Sequence, residues 1–394
     1  MHLRRIARRA CMALALVVML IVALPARSDT MTAVVFVANA EDGTVQIVDA
    51  STFQILRTIN VIPDGASPPM TEDPLSAAAY PLVVGAAGEN WAQDLDVSPD
   101  GTVVYVSRGH RADVAAFDVA SGTMKWRAPV SGLRADHMTM SADGARLYVS
   151  ALTENIVEVL DTSTGALVDT FATGEWPHDN VLSADGARVY NGSIGNILLP
   201  PEVREARSSV NDGVLPRPYQ LTVVDADTLE VLRTYPFERG IRPFVINADE
   251  TRMYVQLSEV HGVMEYDLVD GRPLRTLDLP VADGVTSDDY DFEAPHHGLA
   301  LSADERLLCA AGRASDYVAL ISVETMQPVS VIPVDDAPGW VETSPDGSHC
   351  FAASTRANSV TVISYEQAAK VAEIETGAGP KYLAAARVPT SILE

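Results

Sequence analysis

Short apolar runs separated by turn residues recur along this chain from Ala33 onward. Val35-Phe36-Val37-Ala38-Asn39, Val45-Gln46-Ile47-Val48-Asp49 and Ile55-Leu56-Arg57-Thr58-Ile59 follow one another near the beginning. Leu147-Tyr148-Val149-Ser150, Ile156-Val157-Glu158-Val159-Leu160-Asp161 and Leu167-Val168-Asp169-Thr170-Phe171 repeat the arrangement later. These runs are rich in β-branched and aromatic residues, and Asp-Gly or Thr-Gly turns lie between many of them. Each therefore predicts a strand, and successive ones predict an antiparallel meander.

One turn sets the period. Ser98-Pro99-Asp100-Gly101, Ser141-Ala142-Asp143-Gly144, Ser183-Ala184-Asp185-Gly186, Asn247-Ala248-Asp249-Glu250, Ser302-Ala303-Asp304-Glu305 and Ser344-Pro345-Asp346-Gly347 are copies of it, with aspartates 43, 42, 64, 55 and 42 residues apart. A unit of about 42 residues with strand, turn, strand, loop, strand, turn, strand is a propeller blade. Ala33 to Val61 has second, third and fourth strands but no first one, and Gly379 to Val388 opens a further repeat and then stops. The expectation is an all-β, seven-bladed β-propeller with four-stranded blades, its ring closed by pairing the C-terminal strand with the N-terminal blade, which removes open sheet edges.

The residues that carry the repeat also carry a resemblance. Gly-x-x-Pro before an apolar strand, Ser-Pro-Asp-Gly, and then Tyr105-Val106-Ser107 or Tyr148-Val149-Ser150 resemble the YVTN-type (YncE-like) propellers, a family of exported bacterial proteins. The likeness covers essentially the whole chain after its first 28 residues. It implies the seven-bladed architecture and leaves the chemistry open, since relatives on this scaffold include lactonases, lyases, redox enzymes and proteins of no known activity. The tetrapeptide departs to Tyr190-Asn191-Gly192, Cys309-Ala310-Ala311 and Phe351-Ala352-Ala353 in other blades.

The first residues belong to targeting rather than to the fold. Arg4, Arg5, Arg8 and Arg9 precede the apolar run Cys11 to Leu24, and Ala26-Arg27-Ser28 offers small residues for cleavage. The run is shorter than the 17 to 25 residues or so of a membrane span, so residues 1–28 read as a signal peptide and residues 29–394 as one exported domain, periplasmic or extracellular. Its removal takes away five of 28 basic residues and none of 53 acidic ones, leaving a formal charge of −30. Such a field repels nucleic acid and anionic membrane surfaces. A soluble monomer that meets a small-molecule ligand or an envelope protein is expected. Cys309 and Cys350 fall in equivalent strands of neighbouring repeats, and packed sheets lie about 10 Å apart. Two buried thiols rather than a bridge are the expectation.

Three insertions interrupt the period: Pro63 to Asn90 and Pro280 to Glu293 between blades, and Ile197 to Pro218 between second and third strands. In a propeller all three loops open on one face, the mouth of the central channel. Long loops gathered on one face build a site or a lid. The acidic residues Asp283, Asp288, Asp289, Asp291 and Glu293 lack the spacing of a calcium loop and read as a solvated lid.

Histidines sort to the same face. His137, His178, His296 and His297 start innermost strands, and His110 and His261 lie in mouth loops, so only His349 of the seven beyond the signal segment lies elsewhere. Trp91, Asp94, Asp136, Asp179, Arg242, Trp340 and Lys381 start innermost strands beside them. Imidazoles facing carboxylates suit a divalent transition metal such as zinc, copper or iron, with His137, His178, His296 and His297 as candidate ligands. The same groups suit acid–base work in which His137, His178 and His297 act with Asp94, Asp179 and Arg242 as catalytic candidates on a bound anion or sugar, Arg242 and Lys381 countering its charge. Successive residues on a strand point to opposite sides, so one of His296 and His297 is expected to face the axis. Lactone opening, elimination or oxidation would fit such a site, and a non-catalytic binding module is the alternative. The chain contains no Gly-x-Ser-x-Gly, His-Glu-x-x-His, Walker or Cys-x-x-Cys-His motif.

Overall fold

The computed structural model describes residues 30–65, 88–208 and 217–393. Residues 1–29, where the expected signal peptide falls, most of the first insertion, residues 209–216 of the second and Glu394 lie outside these ranges. The strands form seven four-stranded antiparallel sheets, each a meander in chain order except the first. That blade takes its innermost strand from the other end of the chain: Pro380–Pro389 pairs with Met31–Asn39, Val34 opposite Ala386 and Val37 opposite Leu383. The ring closes as the repeat count requires. Among the described residues no helix is long and apolar enough to cross a membrane.

The repeated turn works through its serine and aspartate. Ser98 Oγ donates to Asp100 Oδ1 at 2.6 Å and accepts Val103 N–H at 2.9 Å, while Asp100 Oδ1 accepts Thr102 N–H at 3.0 Å. The turn's last residue adopts a positive φ of 72° at Gly101. Glutamates hold the same left-handed conformation at 250 and 305, with φ of 54° and 57°.

Second and third strands read as continuous apolar runs because both of their faces are buried. Val34, Phe36 and Ala38 pack against Val104, Val106 and Phe117 of the second blade, whereas Val35 and Val37 pack against Phe351 and Val360 of the seventh. Period-two alternation thus divides each strand between two interblade cores. Outermost strands such as Leu167–Ala172 are exposed along most of their length. Innermost strands face the channel and carry the polar residues.

Cys309 and Cys350 form a disulfide, with Cα atoms 6.6 Å apart, which overturns the expectation of two free thiols. The 10 Å spacing belongs to sheets stacked face to face with full side chains between them. Blades converge toward the axis, and Ala310, Ala311, Ala352 and Ala353 flank the two cysteines, so the sixth and seventh blades approach within bridging distance.

Candidate metal centre

The site begins at equivalent positions of the innermost strands. Five residues before each turn's first residue stand Gln93, Asp136, His178, Arg242, His297 and Gly339, and one residue later Asp94, His137, Asp179, Pro243, Gly298 and Trp340. Pairing of the first and second strands shifts register between Ala135 and Met138, Pro177 and Asn180, Ile241 and Phe244, and Pro338 and Trp340. A bulge re-aims the side chains it carries. Asp136 and His137 can therefore both serve the channel, although a flat strand would send them to opposite faces.

His137, His178 and His297 come together, each offering a ring nitrogen within 4.8 Å of the others, and could hold a metal ion. Every ring has its other nitrogen committed to the neighbouring blade. His137 Nδ1 lies 2.6 Å from Asp94 Oδ2, His178 Nδ1 2.8 Å from Asp136 Oδ2, and His297 Nδ1 2.9 Å from the Gly339 carbonyl. These contacts span 43, 42 and 42 residues, one repeat each.

The tautomers follow from charge. Gly339 O only accepts, so His297 Nδ1 carries a proton. Burial pushes the Asp136 carboxyl up, but Arg134, 3.1 Å away, and His178 outweigh it and hold the group well below the usual carboxylate range. His178 Nδ1 is accordingly a donor. Ionised Asp136 also demands the amide NH2 of Gln93, whose Nε2 lies 2.8 Å from Asp136 Oδ1, while Gln93 Oε1 accepts Asn90 Nδ2 at 2.7 Å. That same NH2 sits 3.3 Å from His137 Nε2, making this nitrogen an acceptor and Nδ1 the protonated one. All three Nε2 atoms thus carry lone pairs. Burial pulls the three imidazoles below their ordinary value, so they stay neutral at pH 7.

Two lone pairs then confront each other, since His178 Nε2 and His297 Nε2 are 3.2 Å apart. Ligands about 2.0–2.1 Å from a tetrahedral ion sit about 3.3 Å from one another. The imidazole–carboxylate and imidazole–carbonyl links are the supports that orient histidine ligands in metal sites. Burial first, then Asp96, pushes the Asp94 carboxyl well above its usual range, and its Oδ1 has no partner among the described residues. Positive charge on the far side of the His137 ring would hold it ionised. Trp340 stacks on His137 at 4.9 Å, and Tyr382 lies 4.2 Å from Trp340, giving the site an aromatic wall.

The other expected residues are placed differently. His296 does not join the cluster: its Nε2 meets His261 Nδ1 at 3.2 Å and the Tyr317 hydroxyl at 3.0 Å. Gly298 fixes this division. Its φ is 131°, a Cβ there would lie 2.8 Å from Trp340 Cα, and Gln256 holds both its N–H and its carbonyl, at 2.8 and 3.0 Å. Asp179 turns outward to accept Phe244 N–H at 3.2 Å, and burial pushes it up to about 7. Arg242 borders His178 and His297 in the ring but gives Nε to Ser258 Oγ at 3.0 Å and Nη2 to the Phe292 carbonyl. Gln93 and Gly339 were not anticipated, because an amide and a glycine carry no signal of metal chemistry. Their shared offset from the turn is the sign that finds them.

Loops cover this end of the channel. Arg204, on the helix Pro201–Ser208 of the second insertion, pairs with Glu293 of the third, and Arg207 pairs with Glu175 at 2.9 Å. Asp291 pairs with Arg313 at 2.9 Å and Arg356 at 2.8 Å. Part of the acidic segment is thus clamped by arginines rather than left to solvent. Asp64, opening the first insertion, pairs with Arg108, Arg111 and Arg127.

Among solved structures, the fold is similar to Kuenenia stuttgartiensis hydrazine synthase, with a TM-score of 0.61 and 18% sequence identity over 83% of this chain and 94% of that one. At that identity the likeness shows the propeller fold alone. No family model matches the chain, and no curated protein matches it either. The class defined by fold and site is a seven-bladed propeller with a histidine cluster at one end of its axis that could hold a metal ion.

Proposed function

We propose that this protein is an exported, metal-dependent enzyme of the YVTN-type propeller group, working as a periplasmic or extracellular monomer on a small molecule in the channel mouth. His137, His178 and His297 would hold a divalent transition metal, zinc, copper or iron. The observation that carries the reading is the convergence of these three neutral rings, each with Nδ1 bound to an acceptor one blade away. Three imidazole ligands leave open coordination positions, as catalytic rather than structural sites do. When bound, such an ion supplies Lewis acidity and lowers the pKa of water, chemistry that serves lactone opening or elimination.

The chain's own groups define the rest. Asp94 and Asp136 hold their imidazoles in the donor tautomer and raise ring basicity. Gln93 bridges the two carboxylate–histidine links, and its N–H toward His137 Nε2 must give way when that lone pair ligates an ion. Burial pushes the Tyr382 hydroxyl well above its usual range, so at neutral pH it remains a hydrogen-bond donor. The signal-like residues 1–28 support export, and the charge of −25 on the whole chain supports a soluble protein indifferent to nucleic acid.

Metal analysis of the protein purified without chelators or a histidine tag, beside a His178→Ala/His297→Ala variant, tests this. Near-stoichiometric metal in the wild type and its absence in the variant are expected. Absence from both would overturn the reading and favour a module that uses the mouth loops to grip a partner.

A further inference from the structure

In a chain of formal charge −25, four cations gather around the histidine cluster: Arg134, Arg242, Arg313 and Lys381. Two have carboxylate partners, Arg134 with Asp136 at 3.1 Å and Arg313 with Asp291 at 2.9 Å. The other two do not. Arg242 is 3% exposed, and its only partners among the described residues are neutral, the Ser258 hydroxyl and the Phe292 carbonyl. Nη1 of its guanidinium has no hydrogen bond among them. Lys381, a partly buried residue, makes no side-chain ion pair or hydrogen bond among the described residues either. Carboxylates reach these two only through space, Glu293 and Asp136 acting on Arg242 and Asp136 and Glu41 on Lys381, and a buried cation without a directly bonded counter-charge is costly.

Blade order places these two cations on different sides of the cluster. Around the axis the inner-strand starts run Lys381, Gln93, Asp136, His178, Arg242, His297, Gly339, so Arg242 stands between two of the histidines and Lys381 lies beyond Gln93 and Gly339. We propose that the mouth binds a small oxyanion, a carboxylate or phosphate group of the substrate, between Arg242 and Lys381 beside the three histidines. This rests on the metal-centre reading for its catalytic meaning but not for the binding itself. Burial first, then Arg134 and Arg313, pull Lys381 down to about 7 against the opposing field of Asp136 and Glu41. An oxyanion there would return it to the ammonium form. Arg242 keeps both N–H of Nη1 and the second N–H of Nη2 to offer, and Lys381 supplies the second positive charge from a flexible stem.

The test titrates acetate and inorganic phosphate into the metal-free and the zinc-loaded protein by calorimetry, for the wild type, Arg242→Gln, Arg242→Lys and Lys381→Met. A charge-assisted contact is worth enough that each neutral variant should bind the preferred anion at least about tenfold more weakly, with Arg242→Lys in between. Metal content should stay at the wild-type level throughout, and affinity should fall as salt rises. Preference for acetate assigns a carboxylate substrate and preference for phosphate a phosphorylated one. Wild-type affinity in both neutral variants, or no binding of either anion to the wild type, overturns the proposal. Should Arg242→Gln fail to fold, Lys381→Met decides alone, since that side chain supports no other group. Zinc retained without anion binding removes this inference and leaves the metal centre standing. Anion binding that depends on both cations in a protein that takes no metal does the reverse.

Discussion

His296 and His297 are adjacent in sequence and belong to different chemistries. His297 gives Nδ1 to a backbone carbonyl and turns Nε2 toward His178 in a group backed by two carboxylates. His296 is fully buried, meets His261 and Tyr317 through Nε2, and leaves Nδ1 without a partner among the described residues. His261 Nε2 in turn lies 3.0 Å from Ser315 Oγ. Among the described residues the second group's ring nitrogens meet only hydroxyls and each other, His296 Nδ1 is left over, and no carboxylate hydrogen-bonds to either ring. In the first group the protons point outward to the neighbouring blades, and the lone pairs point inward. Burial of several histidines does not make a metal site; the direction of their protons does.

The largest expected contrast comes from treating the two groups alike. His261→Ala/His296→Ala should keep full metal content while losing stability by about 2–4 kcal/mol, as expected for emptied, partly unsatisfied core positions. Metal loss in that variant, by elemental analysis of folded protein, would dissolve the distinction. The Cys309–Cys350 bridge joins the blades that carry His297 and Gly339, across 41 residues. Replacing both cysteines by alanine should cost about 3–4 kcal/mol in denaturant unfolding on the chain-entropy account. Metal affinity should be preserved, because interblade packing rather than the bridge places the two residues. A parallel loss of affinity would show that the covalent link sets the site.

A finer test concerns the outward protons. Asp136→Asn removes the charge that orients both His178 and Gln93 and should weaken metal binding by about 10- to 100-fold, measured by competition with a chelator, with little change in fold. An unchanged affinity would mean that the carboxylate link is only structural. The smallest effect lies farther down the channel, at Glu342, which burial and then Asp96 push up to about 8. Between pH 4.5 and 8 the folded chain holds a proton that the unfolded chain has released. This contribution is present in full below 4.5 and is lost as pH rises through 8. From pH 6 to 8 the wild type should therefore lose about 1–2 kcal/mol relative to Glu342→Gln. A constant difference between the two would show Glu342 to be charged throughout and extend the cation preference beyond the histidine ring.

Much of this was legible in the chain. The Ser-x-Asp turn recurs because its side chains close the loop locally, so its spacing survives in sequence and counts the blades. The apolar runs were readable because both faces of the middle strands are buried. The split first blade was readable because a propeller leaves no strand unpaired. His137, His178 and His297 were reachable as a group, since repeat alignment places them all at inner-strand starts.

What the sequence could not supply were outcomes that depend on angles between blades. Cys309 and Cys350 bond because wedge-shaped blades close the distance that parallel sheets would keep open. Asp136 and His137 share a face because a bulge cancels strict alternation. Asp179 leaves the site because the Phe244 amide of the next blade claims its carboxylate. His296 and His297 part because Gly298, pressed against Trp340 and held by Gln256, sets the backbone that carries them. Local turn chemistry and two-sided burial are properties of short segments, and the sequence by itself determined the propeller through them. The direction of each imidazole depends on a neighbour one whole repeat away, and only the packed ring decides it.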